Sequence, residues 1–375
     1  MAGIYIHIPF CKKRCTYCDF YTEVAPQLIP TLIDSIVEEL RIRKDYLRNA
    51  SIQTIYFGGG TPSILTKIQF ERIFDAIYTH YSVNNDAEIT FEANPDDLTS
   101  DFLESTRSLP FNRISIGIQS FDDTDLKRIN RRHTGIQAAK AVKMAQKAGF
   151  RNISIDLIYG LPFQTMEGWK KQLDSAFSLK VQHVSAYGLT YEEGTALWKQ
   201  RENGELKTVD DETMIEMYGL LIAKMKQNGF EAYEISNFSL PDFRSKHNTA
   251  YWKQEPYIGI GPSAHSYDLK SRQWNIASIT KYVNAIAENT VFFEREELTL
   301  NDQYNDFVMV SLRTSDGLDL SLLEAKFGAE YKAYCLKNIK TYIDTKKVDY
   351  FVERLRLTAE GIQISNLILI ELMRV

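Results

Sequence analysis

The sequence has few cysteines, no long apolar run and no excess of positive charge. Only 4 of its 375 residues are cysteine, which excludes a disulfide framework. No stretch approaches the ~18 apolar residues of a membrane span, and the N-terminus lacks the basic and apolar segments of a secretory signal. A net charge of −5 argues against coating nucleic acid or anionic lipid by charge. These absences predict a cytoplasmic protein with no nucleic-acid partner, in which clustered thiols serve as metal ligands.

The first two-thirds of the chain alternates short apolar strands with longer amphipathic segments. Because strand starts recur at intervals that fit β-α units, the pattern predicts an α/β fold with a parallel, partial (β/α)6 TIM-like barrel. The predicted strands are Ile4–Ile8, Thr54–Phe57, Glu88–Phe91, Arg113–Ile118, Ile153–Ile158 and His183–Leu189. The predicted helices are Leu28–Tyr46, Ile68–Tyr81, Asp101–Ser108, Gln137–Ala148, Trp169–Leu179 and Asp211–Gln227.

Three regions are predicted from changes in this pattern. Residues 1–235 form the barrel, and residues 236–298 form a connecting region. The stretch from about Tyr233 to Arg272 is rich in aromatic residues, Gly, Pro, Ser and His and is weak in helical period. Residues 299–375 read as three helices and a β-like wing, a small C-terminal helical, winged-helix-like domain. A winged helix would suggest DNA binding, but the basic residues are scattered rather than clustered on one element.

Three of the four cysteines form one cluster directly after the first strand. Cys11, Cys15 and Cys18 are spaced C-x3-C-x2-C, whereas Cys335 lies alone in a helical pattern and reads as a packed thiol. A four-iron cluster held by three thiolates keeps one iron open for a substrate or cofactor. The alternative is a structural zinc site with His7 as the fourth ligand. The uneven spacing, and the position of His7 within the strand, favour the iron–sulfur cluster.

Polar and glycine residues follow several of the other strands. Three consecutive glycines at 58–60 let the backbone approach a ligand closely, and Thr61 is expected to cap the helix that starts near Thr66. Glu92, Gln119 and Asp156 lie on otherwise apolar strands and need polar partners if they are buried. They therefore mark a site at the barrel mouth.

The cysteine motif, with Tyr17 before its third cysteine, resembles the signature of radical S-adenosylmethionine (SAM) enzymes. The resemblance to the oxygen-independent coproporphyrinogen dehydrogenase (HemN) group extends over essentially the whole chain. It rests on Tyr5-Ile6-His7-Ile8-Pro9-Phe10-Cys11, Gly58-Gly59-Gly60-Thr61-Pro62-Ser63, Ile116-Gly117-Ile118-Gln119-Ser120-Phe121, Asp156-Leu157-Ile158-Tyr159-Gly160-Leu161-Pro162 and Tyr257-Ile258-Gly259-Ile260-Gly261-Pro262-Ser263-Ala264.

Three features resemble the HemW branch of that group more than the dehydrogenases. The dehydrogenases carry a further cysteine two residues after the third ligand, where this chain has Phe20, and an N-terminal extension, where this chain has ten residues before Cys11. The run His247-Asn248-Thr249-Ala250-Tyr251-Trp252 matches the HNxxYW motif associated with heme binding in the HemW branch. The resemblance therefore implies a heme chaperone that passes heme to hemoproteins, above all membrane-bound respiratory enzymes.

The same resemblance implies the site residues, although it assigns no catalytic one. The cluster ligands are Cys11, Cys15 and Cys18, and the heme contacts are His247, Tyr251 and Trp252. The SAM contacts are Tyr5, Tyr17, Gly59, Gly60, Thr61, Glu92, Gln119, Arg131, Asp156 and Gly188. Gln119, Arg131, Asp156 and Gly188 align with positions that hold a second SAM in the dehydrogenase, so a second SAM is left open. Arg131 also fits a solvated basic turn, Asn130-Arg131-Arg132-His133.

Two other activities remain open on the sequence alone. One is the dehydrogenase reaction, in which a SAM-derived radical takes hydrogen from propionate side chains that then lose CO2. The other is a radical SAM methyltransferase, since some of these enzymes share the architecture. A heme donor to membrane proteins must also meet a membrane or a membrane partner, which without an anchor predicts a transient association. A homodimer is left open as well.

Overall fold

Six parallel strands form the centre of a twelve-stranded sheet, and they have the same order in space as in the chain. The computed structural model describes residues 1–374. The strands are β1 (Ala2–Ile8), β2 (Ile52–Gly59), β3 (Val83–Ala93), β4 (Arg113–Gln119), β5 (Ile153–Tyr159) and β6 (His183–Gly188). The helices of this part are α1 (Ile29–Ile42), α2 (Lys67–His80), α3 (Ser100–Thr106), α4 (Asp123–Arg128), α5 (Gly135–Lys147), α6 (Met166–Ser178), α7 (Ala196–Glu202) and α8 (Asp211–Gln227). The predicted α/β partial barrel is confirmed.

The two faces of these strands have different compositions, and this difference places the site. On β1, Ile4, Ile6 and Ile8 have no exposed surface and pack in the apolar core beneath the helices. Tyr5 and His7 alternate with them and therefore point to the other face, into the barrel. The same alternation gives the interior its other polar side chains, which are Thr54, Tyr56, Glu88, Thr90, Glu92, Arg113, Ser115, Ser154, Asp156, His183 and Ser185.

The region predicted as a connection, residues 236–298, adds strands to both ends of the central sheet and contains two helices. Beside β6 lies β8 (Asn237–Ser239), which pairs in turn with β7 (Glu231–Ala232), a strand that precedes this region; beside β1 lie β9 (Tyr257–Ile260), β10 (His265–Tyr267), β11 (Ser271–Asn275) and β12 (Phe293–Glu297). The helices are α9 (Lys246–Trp252) and α10 (Ile279–Ala287). The expectation of weak helical structure was wrong for α9, because a glutamate from a distant strand binds its first backbone N–H groups.

The C-terminal part has its own apolar core, which includes Tyr304, Val308, Leu323, Cys335 and Ile339. Its elements are α11 (Leu300–Leu312), β13 (Leu318–Asp319), α12 (Leu320–Phe327), α13 (Ala329–Asp344), β14 (Val348–Phe351), β15 (Arg354–Leu357), α14 (Ala359–Gln363) and α15 (Ser365–Leu372). The hairpin of β14 and β15 is the predicted wing. Cys335 is fully buried, as predicted. Within residues 1–374, no helix is both long enough and apolar enough to cross a membrane.

Candidate functional site

The cysteine loop begins where β1 ends and is fixed at its neck. The Cys11 N–H donates to the Glu23 carbonyl at 3.0 Å, and the Glu23 N–H donates to the Pro9 carbonyl at 2.7 Å. Lys12 forms an ion pair of 2.7 Å with Asp97, a buried carboxylate beyond the end of β3. Lys12 therefore ties the loop to the turn that follows β3.

All three cysteines of the loop line one cavity of about 580 Å³ at the carboxyl ends of the parallel strands. The Thr61 hydroxyl donates to Cys11 Sγ at 3.4 Å, and the Arg131 guanidinium lies 3.5 Å from Cys15 Sγ. Burial raises the pKa of Cys11, and it raises that of Cys18 to about 11. A four-iron cluster needs three thiols that face one space and donors that offset its negative charge, and this loop fits both needs.

His7 is not placed as a fourth ligand. Its Nε2 atom bonds to the Tyr21 carbonyl at 3.2 Å and its Nδ1 atom to the Tyr5 hydroxyl at 3.0 Å. His7 does not line the cysteine cavity, and within residues 1–374 no three His, Cys, Asp or Glu side chains are grouped to hold a single metal ion. The structure therefore disfavours the zinc alternative.

The glycine run after β2 is required by close packing against β1. Gly59 has φ +102°, and a Cβ atom there would lie 2.5 Å from the His7 ring. A Cβ atom at Gly60 would lie 2.7 Å from the Phe10 carbonyl oxygen. Only residues without a side chain allow this approach, which leaves the β2 backbone open to the cavity.

Thr61 has a different role from the expected one. The helix cap is Thr66, which forms a capping box with Gln69. Thr61 makes no side-chain capping bond; its hydroxyl instead contacts the Cys11 thiol and accepts from the Asn94 amide at 3.3 Å. The capping expectation was wrong because a short 3-10 turn, Pro62–Ile64, separates Thr61 from α2.

Two carboxyl groups from the strands face the same cavity. Burial raises the pKa of Glu92 to about 7 and that of Asp156 to about 6. Tyr56 donates to Glu92 at 2.8 Å, and Ser115 donates to Asp156 at 3.2 Å. A ligand with a positive charge or with hydroxyl donors would favour the ionised form of both groups.

Arg131 reaches the cavity instead of lying in a solvated turn. Its Nη2 atom donates to Asn94 Oδ1 at 2.6 Å and to the Gly117 carbonyl. Gln119 has φ +67° at an irregularity of β4, and its side chain lies beside Gly117. Tyr17 and Gly188 also line the cavity. The structure thus brings nine of the ten predicted SAM contacts and all three cysteines to one space.

Tyr5 is the predicted SAM contact that lies elsewhere. It lines a second cavity of about 290 Å³, which we call the aromatic cavity. The aromatic cavity is lined by Tyr5, His7, Asp19, Phe20, Tyr21, Tyr251, Tyr257, Ser263 and His265. Asp19 and Phe20 line both cavities, so the end of the cysteine loop forms a shared wall.

The three predicted heme residues all lie on α9. His247 is 2% exposed, and burial lowers its pKa to about 3. Its Nδ1 atom bonds to the Thr54 hydroxyl at 2.7 Å and its Nε2 atom to the Tyr251 hydroxyl at 2.9 Å, while its ring stacks on Tyr56 at 5.0 Å. Tyr251 lines the aromatic cavity, and Trp252 lines neither cavity.

Three contributors were not singled out from the sequence. Asn94 bridges Thr61 and Arg131, and Asp97 holds Lys12. Both lie within four residues after the end of β3, and this place after a strand end was the available signal. Glu88 accepts the backbone N–H groups of Lys246 and His247 at 3.0 and 3.1 Å, and no local pattern indicated this contact.

Comparison with known proteins agrees with this geometry. Residues 5–176 match the Radical SAM superfamily and residues 298–364 match the HemN C-terminal domain. The heme chaperone HemW of Lactococcus lactis is 36% identical over 363 residues, which span 96% of this chain and 94% of the relative. HemW of Bacillus subtilis is 34% identical over 331 residues, spanning 88% and 87%. The structure of coproporphyrinogen III oxidase (HemN) from Escherichia coli, a radical SAM enzyme, superposes with a TM-score of 0.87 at 25% identity, covering 99% of this chain and 90% of that one. The chain therefore belongs to the family of HemW heme chaperones.

Proposed function

We propose that this protein is a heme chaperone that carries a [4Fe-4S] cluster, binds SAM and heme, and transfers heme to hemoproteins. The observation that supports this proposal most strongly is the similarity to a heme chaperone over 96% of the chain. The preferred acceptors are membrane-bound respiratory enzymes, reached from the cytoplasm by transient association, and a homodimer is compatible with this role.

The cluster ligands in this proposal are Cys11, Cys15 and Cys18. When bound, the cluster supplies an electron and an open iron position at which SAM is held. The protein's side chains offset the charge of the cluster and orient SAM. Thr61 and Arg131 donate toward the thiols, which offsets the negative charge of the cluster. Glu92 and Asp156 accept from the cationic or hydroxyl groups of SAM and so orient it. The glycine run keeps the cavity wall free of side chains.

The heme contacts in this proposal are His247, Tyr251 and Trp252. Tyr251 already faces a cavity, whereas both ring nitrogens of His247 are hydrogen-bonded. Within the motif, Tyr251 is therefore the residue placed to contact heme. Its ring packs edge-on against Tyr257, with 4.6 Å between the ring centroids.

Coproporphyrinogen III dehydrogenase is the second candidate, and the shared fold with HemN supports it. The chain has Phe20 where the dehydrogenases it resembles have a further cysteine. That difference, together with the higher identity to heme chaperones, favours the carrier function.

The two functions are separated by a pair of assays on anaerobically reconstituted protein. In the first, heme-loaded protein is mixed with apomyoglobin, and the Soret band of the acceptor is followed; a chaperone transfers its heme faster than heme dissociates into buffer. In the second, the protein receives SAM, reductant and coproporphyrinogen III. Vinyl-group formation over many turnovers, without heme transfer in the first assay, would overturn the chaperone proposal.

A further inference from the structure

Two histidines line the aromatic cavity: His7 is hydrogen-bonded at both ring nitrogens, whereas the His265 ring makes no hydrogen bond within residues 1–374. We propose that His265 is the axial ligand of the heme iron and that an edge of the porphyrin enters the aromatic cavity. This inference rests on the proposed function, because it takes heme as the cargo and assigns its binding site.

The motif histidine cannot ligate iron in the arrangement seen here. A histidine binds heme iron through the lone pair of a ring nitrogen. His247 uses one nitrogen toward Thr54 and the other toward Tyr251, and it lies 2% exposed beneath Tyr56. Its contact with Tyr251 holds that tyrosine at the wall of the aromatic cavity, so His247 acts as a positioning residue.

His265 has the properties that His247 lacks. It is exposed, and its ring makes no hydrogen bond within residues 1–374. The ring stacks against Trp274 on β11, with 6.1 Å between centroids and 28° between planes. Trp274 thus borders the imidazole on one side, and because His265 lines the aromatic cavity, its unbonded ring nitrogens are available to a ligand there.

The backbone that carries His265 is held rigidly. A Cβ atom at Gly259 would lie 2.0 Å from the His265 carbonyl oxygen, so the two strands approach as closely as glycine allows. The next residue, Ser266, is buried and bonds to the Gly259 N–H at 2.9 Å and to Arg43 at 3.0 Å. A ligand on a fixed strand needs little ordering when it binds.

The lining of the cavity suits a porphyrin face. Tyr21, Tyr251 and Tyr257 contribute aromatic rings, and Phe20 at the mouth is 62% exposed. The Phe20 ring thus offers apolar surface beside the cavity that a porphyrin would cover. A volume of about 290 Å³ is at the lower end for small-molecule sites, so the porphyrin inserts an edge and covers Phe20 with the rest. Because Phe20 also lines the cysteine cavity, heme would lie against the wall of the cluster site.

The test is a ferric-heme titration of the full-length, cluster-reconstituted protein, followed by visible absorption. His265→Ala is expected to lose the histidine-ligated spectrum and to bind heme at least about tenfold more weakly, and added imidazole restores the spectrum. His247→Gln keeps histidine ligation. His80→Ala, which removes a histidine at the end of α2, serves as the matched control and behaves as wild type. Phe20→Glu weakens affinity while the ligand type stays the same.

The outcomes separate the two proposals. If the wild-type protein binds heme and His265→Ala retains its spectrum and affinity, the ligand assignment is overturned and the chaperone function stands. Loss of ligation in His247→Gln with retention in His265→Ala returns the ligand to the motif histidine. If the wild-type protein binds no heme, both proposals fail. Circular dichroism and the cluster absorbance show that each variant is folded.

Discussion

At the scale of single residues, the four thiols divide by their surroundings. Cys11, Cys15 and Cys18 share a cavity with Thr61 and Arg131, whereas Cys335 is enclosed in the C-terminal core. Burial raises the pKa of Cys335 to about 12 and keeps it protonated. Burial also raises the pKa of Cys18 to about 11, so the pKa does not separate the two groups. They differ in placement: the first three thiols face one cavity together with the Thr61 and Arg131 donors, whereas Cys335 stands alone in an apolar core.

The first prediction compares two cysteine variants. Cys15→Ala is expected to lose the iron–sulfur absorbance after anaerobic reconstitution, because two thiolates do not hold the cluster. Cys335→Ala, the control, keeps full iron and sulfide content and loses only about 1 kcal/mol of stability through its smaller side chain. The iron, sulfide and zinc contents of both variants and of the wild-type protein show whether the cluster is formed. Stoichiometric zinc without iron in the wild-type protein would contradict the cluster assignment.

The second prediction concerns the pH dependence of SAM binding. Burial raises the pKa of Glu92 to about 7, and a cationic or hydroxyl-bearing ligand prefers the ionised carboxylate. Below pH 7 binding must release a proton, so affinity is expected to rise with pH by up to about tenfold per unit until the group is ionised. Calorimetric titration with SAM between pH 6 and 8 measures this change in affinity. Glu92→Gln should bind more weakly at pH 8 and with a flatter profile; an unchanged slope would remove Glu92 from the site.

At the scale of elements, the end of β2 is determined by contact with β1. Gly59 and Gly149 have nearly the same backbone angle, φ +102° and +103°, but a Cβ atom at Gly149 would meet nothing within 4 Å. Alanine substitutions at the two positions therefore distinguish two costs: the strain of a left-handed backbone, which both share, and crowding against a neighbouring side chain, which only Gly59 has. The strain alone amounts to roughly 1–2 kcal/mol.

The third prediction uses this pair. Gly149→Ala is expected to lose roughly 1–2 kcal/mol of unfolding free energy and to retain its cluster and SAM affinity. Gly59→Ala should lose more and also lose SAM binding, because its methyl group would displace the His7 ring. Chemical unfolding and SAM titration measure both effects. Equal losses in the two variants would show that crowding at β2 has no consequence.

The fourth prediction concerns the start of α9. Glu88 accepts two backbone N–H groups there, and the Ser245 hydroxyl lies 3.4 Å from the same carboxylate. Charge-assisted hydrogen bonds in a buried place are worth about 1.5–3 kcal/mol, so Glu88→Gln should lower the unfolding free energy by about that amount. Glu71→Gln, on the exposed face of α2, is the control and should change it by less than about 0.5 kcal/mol. A Glu88→Gln variant as stable as the control would contradict the capping role.

The sequence predicts the parts of the fold that depend on local patterns and misses contacts between residues that are distant in the chain. The six barrel strands and α8 (Asp211–Gln227) were predicted because their period-2 and helical patterns are local. Helix α9 was missed because its cap comes from Glu88, about 160 residues earlier in the chain. The strand-end residues that line the cysteine cavity were predicted from their position, and their role as SAM contacts stays a prediction. The partners of His247 depend on how strands β1 to β3 enclose it.

At the scale of the whole molecule, the polar interior of the barrel makes stability depend on pH. Four of the six histidines are buried there or beside it as neutral imidazoles. Burial lowers the pKa of His247 and His133 to about 3 and of His7 to about 4, and that of His183 well below its usual value. Glu92 and Asp156 act in the opposite direction, because burial raises their pKa values.

The fifth prediction is therefore a loss of stability on acidification below pH 6.5. At pH 5 the unfolded chain binds about four more protons on these imidazoles, while the folded chain holds about two more on Glu92 and Asp156. Unfolding then takes up about two protons, and the unfolding free energy falls by roughly 3 kcal/mol for each unit of decreasing pH.

Urea unfolding of the iron-free chain between pH 5 and 8 measures this slope. His247→Gln removes one buried imidazole and should reduce the slope by about one proton. A stability that is flat between pH 5 and 6.5 would mean that these imidazoles are accessible to protons in the folded barrel, and that the interior is wetter than its packing indicates.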